Sequence, residues 1–397
     1  MMDDVTIRVL ILTRPEVFKY FGGEAVQIRE TSKALAKLGV SVDVSTDLRP
    51  DCSPYDVVHL FNLTMVAETY VQARHAWKQG KPLVLSPIYC TWDEFERLGR
   101  RGFLRWINRL LPSVEARQRL KAFAKAFLAE NHSAHWLQFV KGYRREQKEI
   151  LRMVDVILPN CRCEAEAIER EFGRHGAEIQ VVPNGVDPLW VEEVSPTPFV
   201  DRYGLHDFVL CVGRIDERKN QVALIKALAD TGIRLVFIGG LSPRHNAYNR
   251  EFLELVSRYS NVHYLGQLDH KMVLSAMKAA RVHALPSWLE TPGLTSLEAG
   301  LLGCRIVTTD RGGPPEYFGE MAWYCQPNDL ASIRRAVLAA WEAEETPPLR
   351  EHILANFTWD HAARMTLEGY RKALEKRGFG PSACAGRTLR KDRRETP

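Results

Sequence analysis

Two cationic side chains stand in a glycine turn directly after an apolar, strand-like run. The segment from Cys211 to Asn220 reads CVGRIDERKN, so that Gly213 is followed by Arg214 and Lys219 before a predicted helix. In an open α/β sheet, ligands bind beyond the carboxyl ends of the strands, and N–H groups at the next helix start add positive potential. Two cations at such a point are typical of a diphosphate site. The alternative is a solvated charged turn, because three further charged residues lie in it: Asp216, Glu217 and Arg218.

A second group of residues pairs two carboxylates in the segment from Leu285 to Gly300, LPSWLETPGLTSLEAG. Glu290 falls just past a predicted strand, where a carboxylate can accept hydrogen bonds from sugar hydroxyls. Glu298 falls inside the following helix, where a carboxylate can hold a ribose diol. The alternatives are a polar loop end for Glu290 and a capping box with Thr295 for Glu298.

The loop between these carboxylates predicts a helix start. Thr291 is predicted to be the N-cap and Pro292 the first helical residue, so that N–H groups near Gly293 and Leu294 point into a cleft. If the loop-end and capping-box alternatives were both correct, two carboxylates without a binding role would lie next to the cationic turn by chance, which is improbable. We therefore interpret the two groups as one ligand site.

The elements that must position this site alternate between strands and helices. Apolar strand-sized runs and helix-period segments follow one another over most of the 397 residues, the pattern of parallel α/β sheets. A chain of this length exceeds one ordinary core. We predict a first Rossmann-like domain over residues 1–190 with a helical insertion over 96–152, a second over 191–357, a helix over 358–377 that crosses back to the first domain, and a disordered tail over 378–397.

Composition and segment lengths exclude several classes of protein. Apolar residues make up 45% and charged residues 26% of the chain, which is typical of a globular protein. No stretch approaches the roughly 18 consecutive apolar residues of a membrane-spanning helix, and residues 1–8 lack the regions of a signal peptide. Of eight scattered cysteines only Cys161 and Cys163 are close, and C-x-C without a second pair is a weak zinc signature. We expect a cytoplasmic protein with reduced thiols.

The motifs resemble those of the retaining glycosyltransferases of family 4, which have the GT-B fold of two facing Rossmann-like domains around a central cleft. The resemblance covers Ile7 to about Lys376 and is most specific in the second half. The matching motifs are Glu290-x7-Glu298, Gly213-Arg214 with Lys219-Asn220, Val182-Pro-Asn-Gly-Val-Asp187, Phe237-Ile-Gly-Gly240, Leu265-Gly-Gln-Leu268, Gly312-Gly-x-x-Glu316 and Phe357-Thr-Trp359.

The resemblance implies a nucleotide-sugar donor and a role for each site residue. Arg214 and Lys219 would bind the donor diphosphate and neutralise the leaving group, and Glu298 would hold the ribose. Gly22 and Gly23 would let the first domain's backbone approach the phosphates across the cleft, as glycine permits. The implied activity is transfer of a hexose to a hydroxyl acceptor, either a glycan or a lipid-linked saccharide, in polysaccharide biosynthesis.

Two departures from the family pattern bear on the sugar and the acceptor. Glu290, with the amides of residues 291–294, would hold the donor-sugar hydroxyls, but the family's usual Glu-Gly-Phe-Gly reads Glu-Thr-Pro-Gly here. Many members also carry a histidine after the fourth strand, whereas Leu85 to Trp92 contains none. Tyr89 is the candidate for that position. Front-face attack, in which the leaving phosphate takes the acceptor's proton, needs no protein base.

Two other functions remain open from the sequence, and a metal is not expected. The alternatives are a nucleotide-sugar epimerase on a similar scaffold and a non-catalytic GT-B protein that binds sugars. The chain contains no Asp-x-Asp motif. Because Arg214 and Lys219 can balance the diphosphate charge, we expect no divalent cation and no cofactor beyond the donor.

The insertion concentrates positive charge. Residues 96–127 contain nine Lys or Arg and two Glu, a net charge of +7, against +5 for the whole chain. Phe and Trp are interleaved with the arginines, which is typical of peripheral binding to anionic lipid. The alternative is a solvated helical face packed on the first domain. Nucleic acid is not predicted, because there is one basic patch and no binding motif.

Overall fold

The computed structural model describes residues 6–19, 22–100, 113–128, 131–243, 246–345 and 348–379. They form two parallel six-stranded sheets, each covered by helices on both faces. The inner strands are short apolar runs that are buried on both faces, as is usual for parallel sheets, whereas the edge strands Ser41–Ser45 and Glu178–Ile179 are not buried. No helix among these residues has both the length and the apolar character needed to cross a bilayer.

The first sheet has the strand order β2-β1-β3-β4-β5-β6, and all of its pairings are parallel. Its order reverses between β1 and β3, which makes the carboxyl ends of these two strands the topological switch point where ligands bind in such sheets. Its strands are β1 (Arg8–Leu12), β2 (Ser41–Ser45), β3 (Val57–Phe61), β4 (Leu83–Ser86), β5 (Val156–Ile157) and β6 (Glu178–Ile179).

The second sheet has the order β12-β11-β10-β7-β8-β9, again all parallel, which is the Rossmann order. Its switch point lies between β7 and β10. Its strands are β7 (Val209–Val212), β8 (Leu235–Ile238), β9 (Val262–Tyr264), β10 (Val282–Leu285), β11 (Arg305–Thr309) and β12 (Trp323–Cys325).

The α-helices connect and cover these strands. Those before the second sheet are Glu16–Lys19, Gly23–Lys37, Val66–Lys78, Val114–Leu128, His132–Lys141, Tyr143–Met153, Arg162–Phe172, Trp190–Glu193 and Thr197–Tyr203, with a π-helical turn at Phe95–Gly99. Those after β7 are Gln221–Leu228, Asn246–Arg258, His270–Ala279, Leu294–Leu301, Pro314–Phe318, Leu330–Glu342, Leu349–Asn356 and Trp359–Lys376, with a 3-10 turn at Gly319–Met321.

The last helix returns to the first sheet. Helix Trp359–Lys376 packs against helix Gly23–Lys37, and Tyr370 and Leu374 are buried in the core of the first sheet. The chain crosses between the two domains at two places, and the two crossing segments lie side by side, because Val186 forms a parallel bridge with Thr358. The segments are so close that a Cβ on Gly185 would fall 2.2 Å from the Thr358 carbonyl carbon.

The predicted α/β fold with two parallel sheets is confirmed. The apolar runs that predict strands overlap the observed strands and end within three residues of them: Val57–Phe61 agrees at both ends, whereas Ile179–Val182 is observed as Glu178–Ile179. β12 was not predicted, because three residues of mixed character carry no periodic signal. The predicted tail lies almost wholly outside the described residues, as do the central residues 101–112 of the insertion.

Candidate active site

The cationic turn and the first carboxylate lie at the switch point of the second sheet. The turn follows β7 directly, and the loop that carries Glu290 follows β10, the strand paired with β7. Trp288 donates its N–H to the Arg218 carbonyl at 2.8 Å. Asn220, which adopts φ 62°, donates its side-chain amide to the Pro286 carbonyl at 3.1 Å. These bonds fix the turn against the loop.

Asp216 organises the cationic turn from within. Its buried carboxylate accepts hydrogen bonds from the backbone N–H groups of Arg218 at 3.0 Å and Lys219 at 3.2 Å. It also pairs with the Arg218 guanidinium at 3.1 Å and with Arg214 Nε at 3.3 Å. Burial alone raises the pKa of Asp216, but the charges of Arg218 and Arg214 outweigh it and hold the pKa below its ordinary value. The solvated-turn interpretation is therefore wrong for Asp216.

Lys219 and Glu290 form an ion pair of 2.6 Å between Nζ and Oε1. The Glu290 side chain is 8% exposed and that of Lys219 is 29% exposed, so the pair is open to the cleft mainly through its cation. Arg214 is more open, with 45% of its side chain exposed. The arrangement offers two cations to an anion and one carboxylate to hydroxyl groups at a single point.

The glycine pair at residues 312 and 313 explains the shape of the loop after Glu290. Glu290 and Gly312 form a parallel bridge, and the Gly313 N–H donates to the Glu290 carbonyl at 2.9 Å. A Cβ on Gly313 would fall 1.6 Å from the Thr291 carbonyl oxygen, and one on Gly312 would fall 2.0 Å from the Glu290 carbonyl oxygen. The loop is thus held by backbone contacts that exclude side chains.

The predicted helix start at Thr291 is wrong. The helix is Leu294–Leu301 and its N-cap is Gly293, which adopts φ 71°, a left-handed conformation that favours glycine. Thr291 and Pro292 therefore belong to the preceding loop. Ser296 and Leu297 donate their N–H groups to the Gly293 carbonyl at 2.8 and 3.1 Å. The N–H groups of Leu294 and Thr295 precede these bonds and give the helix start a partial positive charge.

Glu298 pairs with a histidine that the sequence did not single out. His270 Nε2 lies 3.3 Å from Glu298 Oε1, and the imidazole contacts the Trp190 ring. The hydrogen bond that His270 donates to Glu298 raises the pKa of His270, against the effect of burial. The capping-box alternative for Glu298 is wrong, because Thr295 lies inside the helix and is not its N-cap. Asp269, the N-cap of helix His270–Ala279, was the one sequence signal near this histidine.

The first domain presents its own helix start across the cleft. Gly22 is the N-cap of helix Gly23–Lys37, and a Cβ on Gly23 would lie 3.8 Å from Leu294 Cδ1 of the second domain. The starts of the two helices therefore meet at the cleft. At this edge Glu24 accepts hydrogen bonds from residues at the ends of β1 and β3, at 2.7–3.1 Å: Thr13, Arg14 and Asn62. No sequence motif points to this cluster, because its members come from three separate elements.

Tyr89 does not reach the Lys219–Glu290 pair. It is 7% exposed in the core of the first domain, its hydroxyl donates to Glu171, and its ring contacts Phe172. Burial, followed by the contact with Glu171, raises the pKa of its phenol strongly. The described contacts of the Tyr89 side chain therefore do not support its predicted position beside the acceptor.

The segment after Tyr89 does reach the second domain. Glu94 forms a two-fold ion pair with Arg311, with both contacts at 3.1 Å. The Arg218 guanidinium lies 5.2 Å from the centre of the Trp92 ring, and the Phe95 and Trp288 rings lie 6.1 Å apart. The segment from Trp92 to Arg100, here called the strap, thus spans the cleft beside the cationic turn.

Arg100 belongs to the strap and not to a lipid-facing surface. It pairs with Glu96 at 3.0 Å and with Glu217 of the second domain at 3.6 Å, and its side chain is 17% exposed. The prediction that Arg100 belongs to a membrane-binding patch is therefore wrong. Three other arginines of that patch lie outside the described residues: Arg101, Arg105 and Arg109.

Two Rossmann-like sheets whose switch points meet across a cleft define the GT-B class of glycosyltransferases. The family model described as "Glycosyltransferase Family 4" matches residues 21–189, and the model described as "Glycosyl transferases group 1" matches residues 202–356. The chain belongs to the family 4-like glycosyltransferases, and it is an enzyme of the GT-B type.

Named relatives span most of the chain. It is 26% identical over 406 residues to the D-inositol 3-phosphate glycosyltransferase of Segniliparus rotundus, covering 91% of this chain and 86% of that protein. It is 28% identical over 225 residues to the glycogen synthase of Mycobacterium tuberculosis, covering 54% and 52%.

Solved structures share the fold at low sequence identity. Sucrose-phosphate synthase from Thermosynechococcus elongatus aligns with a TM-score of 0.70 at 17% identity, covering 93% of this chain and all of that one. Anabaena HepE, solved with UDP and glucose, aligns with a TM-score of 0.65 at 15% identity, covering 91% and 98%.

Proposed function

We propose that this glycosyltransferase moves a hexose from a nucleotide-diphosphate sugar to a hydroxyl group of a glycan or lipid-linked saccharide, with retention of anomeric configuration. The observation that carries the proposal is the 2.6 Å Lys219–Glu290 pair at the switch point of the second sheet. A cation for the diphosphate lies there beside a carboxylate for sugar hydroxyls. The UDP and glucose bound to HepE support the same donor class.

In this proposal the diphosphate lies against Arg214 and Lys219, near the first turn of helix Leu294–Leu301. These cations face the charge that develops as the bond from the anomeric carbon to the phosphate oxygen breaks. The acceptor oxygen bonds to the same face of that carbon, and its proton passes to the leaving phosphate oxygen. No protein base takes part, which agrees with the absence of a histidine after β4.

Glu290 and Glu298 would orient the donor. Glu290 is held by the loop backbone and by Lys219, so its second oxygen can accept hydrogen bonds from the donor sugar. Glu298 would accept from the ribose hydroxyls, and His270 fixes its orientation. The acceptor would enter at the switch point of the first sheet. There Glu24 and its hydrogen-bond donors lie at the carboxyl ends of β1 and β3.

The sharpest test is a panel of nucleotide sugars incubated with saccharide and lipid-linked acceptors. We expect nucleotide release from one donor that depends on the acceptor, and an anomeric signal in the product NMR spectrum that matches the donor. Epimerisation of the donor without nucleotide release would favour an epimerase. Donor binding without either reaction would favour a sugar-binding protein.

We also propose an anionic membrane surface as a partner, through helices Val114–Leu128 and His132–Lys141. An aromatic cluster on these helices is exposed to solvent: Phe123 is 41%, Phe127 59% and Trp136 40% exposed, with ring centres 5.2–5.9 Å apart. Val140 nearby is 72% exposed. Exposed aromatic rings beside Lys and Arg are the combination that peripheral membrane helices use.

A further inference from the structure

Cys161 and Cys163 converge with a carboxylate from the other domain. The thiol sulfurs lie 2.8 Å apart, and together with one oxygen of Glu316 all three ligand atoms lie within 4.8 Å of one another. Cys161 is the N-cap of helix Arg162–Phe172 in the first domain, whereas Glu316 lies in helix Pro314–Phe318 of the second. Among the residues that the structure describes, this is the one group of three such ligands.

Glu316 is fixed in place and still has capacity to bind. Its two oxygens accept the backbone N–H groups of Arg162 at 2.7 Å and Cys163 at 2.6 Å. An ionised carboxylate has about four acceptor positions, so two remain. The bonds hold the carboxylate over the helix start, next to both sulfurs.

We propose that Cys161, Cys163 and Glu316 form a binding site for a thiophilic divalent cation, of which zinc is the prime candidate, that joins the two domains. Two thiolates and a carboxylate carry three negative charges and select a soft or borderline cation over magnesium or calcium. Three protein ligands leave one tetrahedral position for water. The site shares no residue with the Lys219–Glu290 pair and does not depend on the proposed sugar transfer.

Both sulfurs lie at the start of helix Arg162–Phe172, where the helix dipole favours negative charge. Because the cysteines bind a metal as thiolates, metal binding releases thiol protons, and the affinity should weaken as the pH falls. Cys163 is partly exposed, which gives an ion access.

The test is titration of the reduced, chelator-treated full-length protein with Zn²⁺ against a chromophoric chelator, repeated with Cd²⁺ to record the thiolate charge-transfer absorbance. We expect one equivalent to bind, with that absorbance, and to raise the thermal unfolding midpoint. Cys161→Ser and Cys163→Ser should each weaken binding by at least about 100-fold, since even outer-shell changes cost about 10- to 100-fold. Cys52→Ser, whose hydroxyl can keep the bond to the Pro50 carbonyl, is the matched control.

Glu316→Gln decides whether the second domain contributes. The amide oxygen can still accept one N–H, so the helix start keeps part of its cap, but the charged ligand is lost. We expect weaker Zn²⁺ binding and a smaller rise in the unfolding midpoint than in the wild type. Wild-type affinity in Glu316→Gln would overturn the interdomain site. Absence of Zn²⁺ binding by fully reduced wild type, with the two thiols recovered as a disulfide in air, would overturn the cation site altogether.

Discussion

Lys219 and Glu290 each restrain the other before any donor is present. The 2.6 Å contact holds the ammonium at the point where a diphosphate is expected, and the mostly buried carboxylate keeps one oxygen engaged. A donor that brings a diphosphate and hydroxyl groups supplies partners for both members of the pair. The site is thus organised in advance, which lowers the reorganisation needed for catalysis.

His270 gives the site a pH-dependent contact. The pKa of His270 is raised by Glu298, so its stabilising contribution is complete below the ordinary histidine pKa of about 6.5 and is lost as the pH rises through the raised value. We expect the difference in unfolding midpoint between wild type and His270→Gln to shrink as the pH rises above neutrality. The effect will be small, because half of the side chain is exposed.

His263 supplies the control for this measurement. Burial lowers the pKa of His263, so His263→Gln should not show a difference that shrinks with rising pH. A difference for His270→Gln that stays constant from acidic to alkaline pH would mean that its pairing with Glu298 does not stabilise the fold.

Alanine substitutions at two glycines should have different effects, one on stability and the other on donor binding. Gly313→Ala should destabilise the protein by roughly 1–3 kcal/mol in denaturant unfolding, because the new Cβ overlaps the Thr291 carbonyl. Gly23→Ala has room, with its nearest neighbour at 3.8 Å, and should leave stability unchanged while raising the donor KM. Unchanged KM in Gly23→Ala would remove Gly23 from the donor site.

The convergence of the charged residues at one sheet edge was predictable from the sequence, whereas their local geometry was not. Arg214, Lys219 and Glu290 stood out because charges beyond strand ends meet at one edge of a sheet. The helix start was misplaced by two residues, since Thr291-Pro292 is a favourable start and a left-handed Gly293 leaves no composition signal. His270 lies 28 residues from its partner, a contact that only the folded chain reveals.

Among the structural elements, the strap is the part of the first domain that contacts the cationic turn of the second domain. Trp92 lies against Arg218, and Glu94 holds Arg311, next to the residues that form the Glu290 loop. The sequence predicted helical character here but not the crossing, because ion pairs between domains leave no periodic pattern. The strap positions Arg218 and so supports the turn that carries Lys219.

The helical hairpin formed by Val114–Leu128 and His132–Lys141 predicts salt-sensitive binding to anionic vesicles. Co-sedimentation should occur at low salt and be lost at high salt, since attraction of roughly 1 kcal/mol per cation is screened within about a Debye length. Replacing Phe123 and Phe127 by Ser should weaken it without changing donor use. Leu253→Ser, an exposed apolar residue of the second domain, is the control.

The outcome for wild type alone is decisive for this surface. If the wild-type protein ignores anionic vesicles at low salt, the hairpin does not dock on membranes. An acceptor groove or a solvated face would then account for its basic residues.

At the scale of the whole molecule, two sheets are tied by backbone as well as side chains. The bridge between Val186 and Thr358 fixes where the chain crosses between the domains, and the Glu94–Arg311 ion pair links the domains through side chains. The alternation of strands and helices predicted both sheets, because hydrophobic periodicity is a local signal. How the sheets face each other depends on contacts between distant residues, which no local pattern encodes.

The transfer reaction should not require magnesium or manganese. Because Arg214 and Lys219 can balance the leaving diphosphate, turnover should survive excess EDTA. Loss of turnover that Mg²⁺ or Mn²⁺ restores would contradict the metal-free chemistry. Loss that only Zn²⁺ restores would point to the Cys161–Cys163–Glu316 site instead.

Donor turnover in Arg214→Ala and Lys219→Ala, compared with Lys226→Ala, tests whether the cationic turn binds the donor diphosphate. Lys226 lies on the next helix and pairs with Glu251 at the surface, so its loss controls for removal of a nearby charge. We predict that kcat falls by about 100-fold or more in the first two variants, the cost of losing a group that stabilises developing charge, and stays unchanged in Lys226→Ala. Wild-type turnover in both Arg214→Ala and Lys219→Ala would contradict the assignment of this cleft as the site of sugar transfer.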